Sequence, residues 1–333
     1  MKPTSPEVDA ARRGAIAGAL AGDAIPPEID GAAAETEAVL GGTAFVLRGD
    51  QRVVAVGGAQ AVDFLHRMLS QDVKGIPAGG VRPACFLTAQ GKVVADLLVW
   101  NHGPGRMLVI SRAAAERGLP LLERYVIADD VTLTDAVPAY VPALLLGSAA
   151  SVPYALGALG VVADEAAFGT TTAWHLLLPA DRLTEVVAAL LAHGVEPALC
   201  GRAAFDLARV GAGAPLYGVE LDDRVLPNEA GLSTSAVAWT KGCYLGQEPV
   251  VMAKHRGHPP TQLCRLRIDR EFLLPPDAPL HRAGAVVGRV TTAVRVGRPG
   301  LTALGFVRHG LATIGGELAL EGGERVTVER VFE

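Results

Sequence analysis

The sequence predicts an α+β protein with a β-rich tail. Its 333 residues, 50% of them hydrophobic, suffice for a large core divided among two or three domains. Between about residues 43 and 200, short β-branched runs alternate with segments whose apolar residues recur at helical spacing. From about residue 260 the helical pattern gives way to β-branched, glycine-punctuated strands.

Residues 1–41 are rich in Ala, Gly, Glu and Pro with weak periodicity, and they read as a frayed or loosely helical leader. The runs "TAFVLR" (43–48) and "RVVAV" (52–56) read as a hairpin across Gly49-Asp50. In "GAQAVDFLHRMLS" (58–70), Val62, Leu65, His66 and Leu69 fall at helical spacing. Strands follow at 84–88, 92–100 and 106–111, then a helix near 113–127 and a strand near 131–136. That succession is the strand–helix–strand–strand–helix–strand order of split βαβ sheets. A second unit starts at "YVPALLLG" (140–147) and includes the strand "WHLLLP" (174–179) and a helix over 181–194. The runs at 262–269, 285–296, 301–310, 316–321 and 324–332 suggest a small antiparallel barrel or sandwich.

Composition narrows the function classes. No stretch of about 20 apolar residues exists to span a membrane. The apolar run within Arg12–Ile25 is short, follows acidic Glu7 and Asp9, and lacks a cleavage site, so it does not read as a signal peptide. A net charge of −5 argues against nucleic acid as a partner. Cys85, Cys200, Cys243 and Cys264 are widely spaced without a CxxC, which points to free thiols in a reducing cytoplasm.

The chemistry concentrates in "TKGCYLGQEPVV" (240–251). A reactive thiol needs a lowered pKa, supplied by positive charge or a helix N-terminus. Lys241 precedes Cys243 by two residues, and "GQEPVVMA" can open a helix with Glu248 and Pro249 in its first turn. Gly242 and Gly246 permit an unusual backbone path around the thiol. The competing reading is a small buried structural cysteine, and residue chemistry alone leaves the two balanced. His255 and His258 form an HxxH, but Gly257 and Pro259 break the helix a metal pair would need. A Cys–His hydrolase built on Cys243 has no signature beyond its residue types. Asp96 lies inside the apolar strand "KVVADLLVW", where alternation favours a solvent-facing carboxylate over one held for a ligand. "GAGAPLYG" (211–218) lacks nucleotide-loop spacing.

"KGCYLGQE" (241–248) resembles the signature of the YgfZ family, folate-binding proteins that support iron–sulfur cluster assembly or repair. The segment 201–232, with "AVDFLHRMLSQDV" (61–73) and "FLTAQGKVVADLLV" (86–99), resembles both that family and the related T-protein, the aminomethyltransferase of glycine cleavage. The resemblance covers about residues 43–260 by motif and the tail by type only. It implies a three-domain cloverleaf with a central hole for tetrahydrofolate. The expected division is a leader (1–41), a first folate-fold domain (42–137 with 202–258), a second α+β domain (138–201) and a C-terminal β-barrel (259–333). Function transfers onto Cys243 and Lys241, with Gly242, Tyr244, Gly246, Gln247 and Glu248 as their setting.

For folate, the resemblance implies Asp96, in the strand where T-proteins keep an aspartate. Arg209, Lys254 and Arg256 are candidate counter-charges for the anionic tail, and Trp174 is a candidate stacking surface. T-proteins carry Thr-Gly-Glu-Asp-Gly before the strand corresponding to "WHLLLP", whereas Phe168–Pro179 holds no acid. That departure, and the gain of Lys-Gly-Cys, disfavour ordinary aminomethyl transfer. The expected partners are folate and iron–sulfur client or assembly proteins, with neither membrane nor nucleic acid. The alternatives are a tetrahydrofolate-dependent aminomethyl- or methyltransferase, and a non-catalytic folate-binding scaffold.

Overall fold

The computed structural model describes residues 6–103, 105–136, 139–147, 154–192, 198–255, 257–296 and 299–333. Its chain opens with helices α1 (Pro6–Ala21) and α2 (Ala32–Gly41), followed by strands β1 (Ala44–Leu47) and β2 (Gln51–Gly57). Helix α3 (Ala61–Met68) forms because Ala61, Phe64, Leu65 and Met68 share one buried face. Strands β3 (Val81–Leu87), β4 (Val93–Trp100) and β5 (Arg106–Ser111) come next. Helix α4 (Arg112–Glu123) is N-capped by the Ser111 hydroxyl, which accepts from the Ala114 amide. Strand β6 (Thr132–Asp135) completes a five-stranded sheet of order β3-β4-β5-β2-β6. Apolar residues of α3 and α4 pack on one face of that sheet.

The second sheet takes β7 (Tyr140–Leu146), β8 (Val162–Phe168), β9 (Thr171–Pro179) and, after helix α5 (Leu183–Ala192), β10 (Ala198–Leu199). Residues 193 and 194, expected to end that helix, lie outside the described residues. The sheet order is β10-β1-β7-β9-β8, so β1 belongs here and not in a hairpin with β2. The reason is burial. All four residues of β1 are buried, a demand that a hairpin with one wet face cannot meet. The chain crosses between sheets at Gly49-Asp50, where Arg48 donates two hydrogen bonds to Asp50, each 2.8 Å.

The leader also departs from expectation, because residues 6–41 dock on the second sheet's domain. Ala15, Ile25, Ile29 and Ala38 are buried. The buried Glu35 carboxylate accepts from the amides of Ile29, Asp30 and Gly201, and Arg12 forms a bidentate pair with Asp30. Small residues give close contact without large apolar side chains, so hydrophobic periodicity has nothing to register there.

Helix α6 (Arg202–Ala212) crosses the junction of the two sheets and reaches the barrel. A long connection then leads to α7 (Gln247–His255). The barrel closes in the order β11 (Thr261–Ile268), β14 (Leu301–Arg308), β13 (Ala285–Arg295), β12 (Ala278–Arg282), β15 (Glu317–Ala319) and β16 (Arg325–Val331). It is antiparallel throughout, as its run of β-branched segments suggested.

Arg209 on α6 is the buried link among these parts. It donates to Asp206 (2.6 Å), to Glu220 (2.8 Å) and to the Thr292 hydroxyl on β13 (2.6 Å). Glu220, equally buried, also accepts from Thr291, Thr292 and the Leu216 amide. Helix α6 ends at Gly213, whose φ of 70° and contact with the Phe332 ring leave no room for a side chain.

Replacing Arg209 with Leu leaves Glu220 buried and unpaired, and is expected to cost roughly 3–5 kcal/mol in urea denaturation. Arg202→Ala removes an i,i+4 pair with Asp206 whose arginine is 39% exposed, and is expected to change stability by no more than about 0.5 kcal/mol.

Candidate functional site

The two sheets stack with β9 facing β4 and β5, and a cavity of about 120 Å³ remains between them. Along β4, Ala95, Leu97 and Val99 face the helices, which leaves Asp96 and Trp100 on the opposite side, lining the cavity. Asp96 is thus half-buried in the cavity wall and is not the solvent-facing carboxylate that alternation favoured. Its Oδ1 is sealed and accepts no hydrogen bond, and burial pushes its pKa up to about 6.

His175 on β9 lines the same cavity, 7% exposed, with Nε2 sealed and unpartnered. Burial pushes its pKa down to about 4, against a hydrogen bond to the Ala167 backbone. The ring is thus neutral at pH 7. Since Nε2 has no partner, Nδ1 carries the proton toward Ala167 and Nε2 is a bare acceptor. The cavity wall therefore offers two acceptors, Asp96 Oδ1 and His175 Nε2, that lack donors. Trp100, fully buried, lines the cavity with an indole N–H that has no partner either.

The expected folate contacts divide on this geometry. Trp174 and His175 are consecutive on β9 and diverge: Trp174 packs on the second domain's core and lines a separate cleft of about 650 Å³ beside α6 and the barrel. Arg209 lines the cavity, but its donors are committed to Asp206, Glu220 and Thr292. The Lys254 ammonium lies on exposed α7, 3.6 Å from the Trp239 ring centre. Arg256 lies outside the described residues. His255 and His258 part company, the first edge-on to Trp239 and the second stacked on His309 at 4.2 Å.

Sequence reasoning missed His175 and also Arg48, a buried cavity residue whose guanidinium sits 4.5 Å over Phe205. A signal existed for each. His175 is the polar residue within "WHLLLP", and Arg48 is the cation closing "TAFVLR".

The Cys243 motif forms a separate surface feature. Cys243 is exposed, whereas Cys85, Cys200 and Cys264 are buried, so the small-buried-cysteine reading fits those three and not Cys243. Burial pushes the Cys200 and Cys264 thiols up to about 12. Lys241 does not spend its donors on the thiol. Its ammonium donates to the carbonyls of His66, Leu69 (2.6 Å) and Gln71 (3.0 Å) at the C-terminus of α3, with the Tyr244 ring 5.0 Å away. Burial pushes its pKa down to about 8, and it remains a cation at neutral pH.

Gly242 is exposed beside Cys243, while Tyr244 turns inward to a buried position. Gly246, at φ 77°, sits against the Thr88 carbonyl where a Cβ would come within 2.3 Å. Helix α7 starts at once, with exposed Glu248 in its first turn and Gln247, Glu248, Met252 and His255 along a shallow outer groove.

Comparison with known proteins agrees with this architecture. Residues 26–152 match the GCVT N-terminal domain family. The chain is 30% identical over 202 residues to the aminomethyltransferase of Bordetella pertussis, a match covering 54% of this chain and 55% of that protein. It is 28% identical over 221 residues to the tRNA-modifying protein YgfZ of Sodalis glossinidius, covering 62% of this chain and 66% of that one. The match thus spans only about half the length of the aminomethyltransferase. The glycine cleavage system aminomethyltransferase T of Bartonella henselae superposes with a TM-score of 0.74 over 90% of both chains at 20% identity. The protein therefore has the T-protein fold, with two stacked sheets enclosing a central cavity and a closed barrel beside them. Within that class, the chain is similar both to aminomethyltransferases and to proteins that bear the name YgfZ. No helix among the described residues is long and apolar enough to cross a membrane.

The site's electrostatics make stability depend on pH. Asp96 binds its proton more tightly in the fold than in the unfolded chain. Its contribution to stability is full at low pH and fades as pH rises through about 6. His175 binds its proton less tightly in the fold, so its contribution is full above 6.5 and fades as pH falls through about 4. The two slopes oppose each other in the wild type. Asp96→Asn is expected to leave a stability that rises from about pH 4 to 6.5, and His175→Gln one that falls from about pH 4 to 6, read by urea denaturation. A profile for Asp96→Asn parallel to the wild type would contradict this. Separately, Lys241→Met removes three charge-assisted hydrogen bonds and should destabilise the protein by roughly 2–3 kcal/mol. Amide exchange over residues 66–71 and 240–246 should accelerate beyond the global change.

Proposed function

We propose that this protein is a cytoplasmic tetrahydrofolate-binding accessory factor for the assembly or repair of iron–sulfur proteins, acting through Cys243. The observation that carries the reading is the pairing of two features: an exposed cysteine on an anchored loop, and a central cavity with acceptors that lack donors. The cavity residues suit a reduced pterin. Asp96 Oδ1 and His175 Nε2 would accept from the N–H groups along its edge, and Trp100 is near enough to report its presence. When bound, the folate would supply one-carbon chemistry or simple occupancy.

What this chain's own residues do is then separable. Asp96 and His175 orient the ring, and the stacked sheets exclude water. Lys241 and Gly246 hold the loop that carries the thiol. Cys243 is not among the residues lining the cavity, which favours a thiol directed at a client's iron or sulfur over one that attacks a folate adduct. Nucleic acid has no direct role in this reading. A second reading, a tetrahydrofolate-dependent aminomethyl- or methyltransferase, is favoured by the buried Asp96 carboxyl with its pKa near 6 and by the aminomethyltransferase relatives. It expects turnover with an amine donor, loss of that turnover in Asp96→Asn, and indifference to Cys243.

The deciding experiment complements a strain lacking this protein with wild type and Cys243→Ser. It assays iron–sulfur enzyme activity in the cells and tetrahydrofolate binding by Trp fluorescence on the purified proteins. Cys243→Ser is expected to lower the iron–sulfur enzyme activity by roughly ten-fold or more while leaving folate affinity within about two-fold. Full restoration by Cys243→Ser would remove the thiol mechanism, and a wild type silent to tetrahydrofolate would remove the ligand. Modified nucleosides in bulk tRNA from the same strains give a further readout, since some relatives bear the name tRNA-modifying protein.

A further inference from the structure

We infer that Tyr244 is a positioning residue that couples the central cavity to Cys243, so that a change at Asp96 alters how the thiol is presented. The inference rests on the reading of Cys243 as the working thiol and of the cavity as a ligand site. Two consecutive residues point in opposite directions: Cys243 is exposed, and Tyr244 is 7% exposed with its hydroxyl sealed and unpartnered.

Tyr244 packs in one apolar cluster with Cys85, Val93 and Ala236. Cys85 stands directly opposite Asp96 across the β3–β4 pair. Opposed residues share a face with Cβ atoms about 5 Å apart. Asp96 in turn ends in the unpaired Oδ1 at the cavity. A phenol, a thiol and a carboxyl thus run in a buried row from beneath Cys243 to the cavity wall.

The backbone beside this row is tied down as well. The Ser70 hydroxyl donates to the Ala236 carbonyl and accepts from the Cys85 amide, and the Ser70 carbonyl accepts from the Ala238 amide. Ser235 and Ala236 form part of the cavity wall, and the same chain reaches Cys243 seven residues beyond Ala236. A packed interior at this density transmits displacement and does not absorb it. Burial keeps the Tyr244 phenol up at about 12 and the Cys85 thiol higher still, so both are uncharged at neutral pH. Asp96 is the member of the row whose charge changes when a proton or a hydrogen-bond donor arrives from the cavity.

The test is a double-mutant cycle on the full chain, read as the rate of Cys243 alkylation by iodoacetamide and followed by peptide mass spectrometry. Asp96→Asn is expected to change that rate about three-fold or more in the wild-type background and by less than about 1.5-fold in Tyr244→Leu, which takes the ring out of the row and keeps an apolar side chain there. Gly242→Ala serves as the control: it alters the loop beside the thiol, where an added Cβ meets nothing, so the Asp96→Asn effect must survive in it. A purely structural Tyr244 would shift the baseline and leave the Asp96 effect intact. Additive effects, or an Asp96→Asn rate equal to wild type, overturn the coupling. Tetrahydrofolate binding, measured in parallel by Trp fluorescence, tests the ligand independently. Non-additivity without folate binding keeps the coupling and rejects the ligand, and folate binding with additivity does the reverse.

Discussion

The arrangement depends first on one buried ion pair. Arg209 and Glu220 are each 1% exposed, a placement that in isolation costs more than the attraction returns. It is tolerable because nearly every remaining valence is filled: Asp206 and Thr292 take the other guanidinium donors, and Thr291, Thr292 and the Leu216 amide saturate the carboxylate. Those partners come from α6, the connection after it and the barrel, so the charges are satisfied only when all three are in place. The pair therefore specifies geometry more than it adds stability. It also removes Arg209 from the set of cations free to meet a ligand.

With the junction set in this way, two sheets stack imperfectly and leave a cavity where polar atoms go unpaired. Asp96, His175 and Trp100 each hold a sealed atom without a partner. Each such group carries a desolvation cost of roughly 1–3 kcal/mol, and apolar replacements of similar shape would relieve it. Three such atoms around one cavity are the observation behind the proposed ligand site. The opposed pKa shifts of Asp96 and His175 come from the same burial, acting on an acid and on a base.

The Cys243 loop solves a different problem, holding an exposed thiol in a fixed place on the surface. Lys241 ties one side to α3, Gly246 fits the other side against the β3–β4 turn, and Tyr244 pins the middle. A lysine two residues from a cysteine invites an electrostatic explanation, yet its three donors meet helix carbonyls. The same residue type in the same motif serves position, and the thiol owes its accessibility to what surrounds it.

Much was legible in the sequence wherever one local pattern decided the outcome. The presence of helix α3, the β-branched barrel strands and the concentration of reactive residue types around Cys243 all follow from neighbours within a few residues. Helix α3 nevertheless buries Ala61, Phe64, Leu65 and Met68 and not the expected Val62 and His66. The tertiary structure alone decided the rest. It decided whether β1 would pair with β2 or with β7 and β10. It decided that small-residue helices before residue 42 would dock through Glu35 and Arg12, and that Asp96 would face a cavity. It also placed His175, and not Trp174, in that cavity. In each case alternation names two faces of an element but not what covers them, and a face covered by a distant segment reads in sequence just like one covered by water.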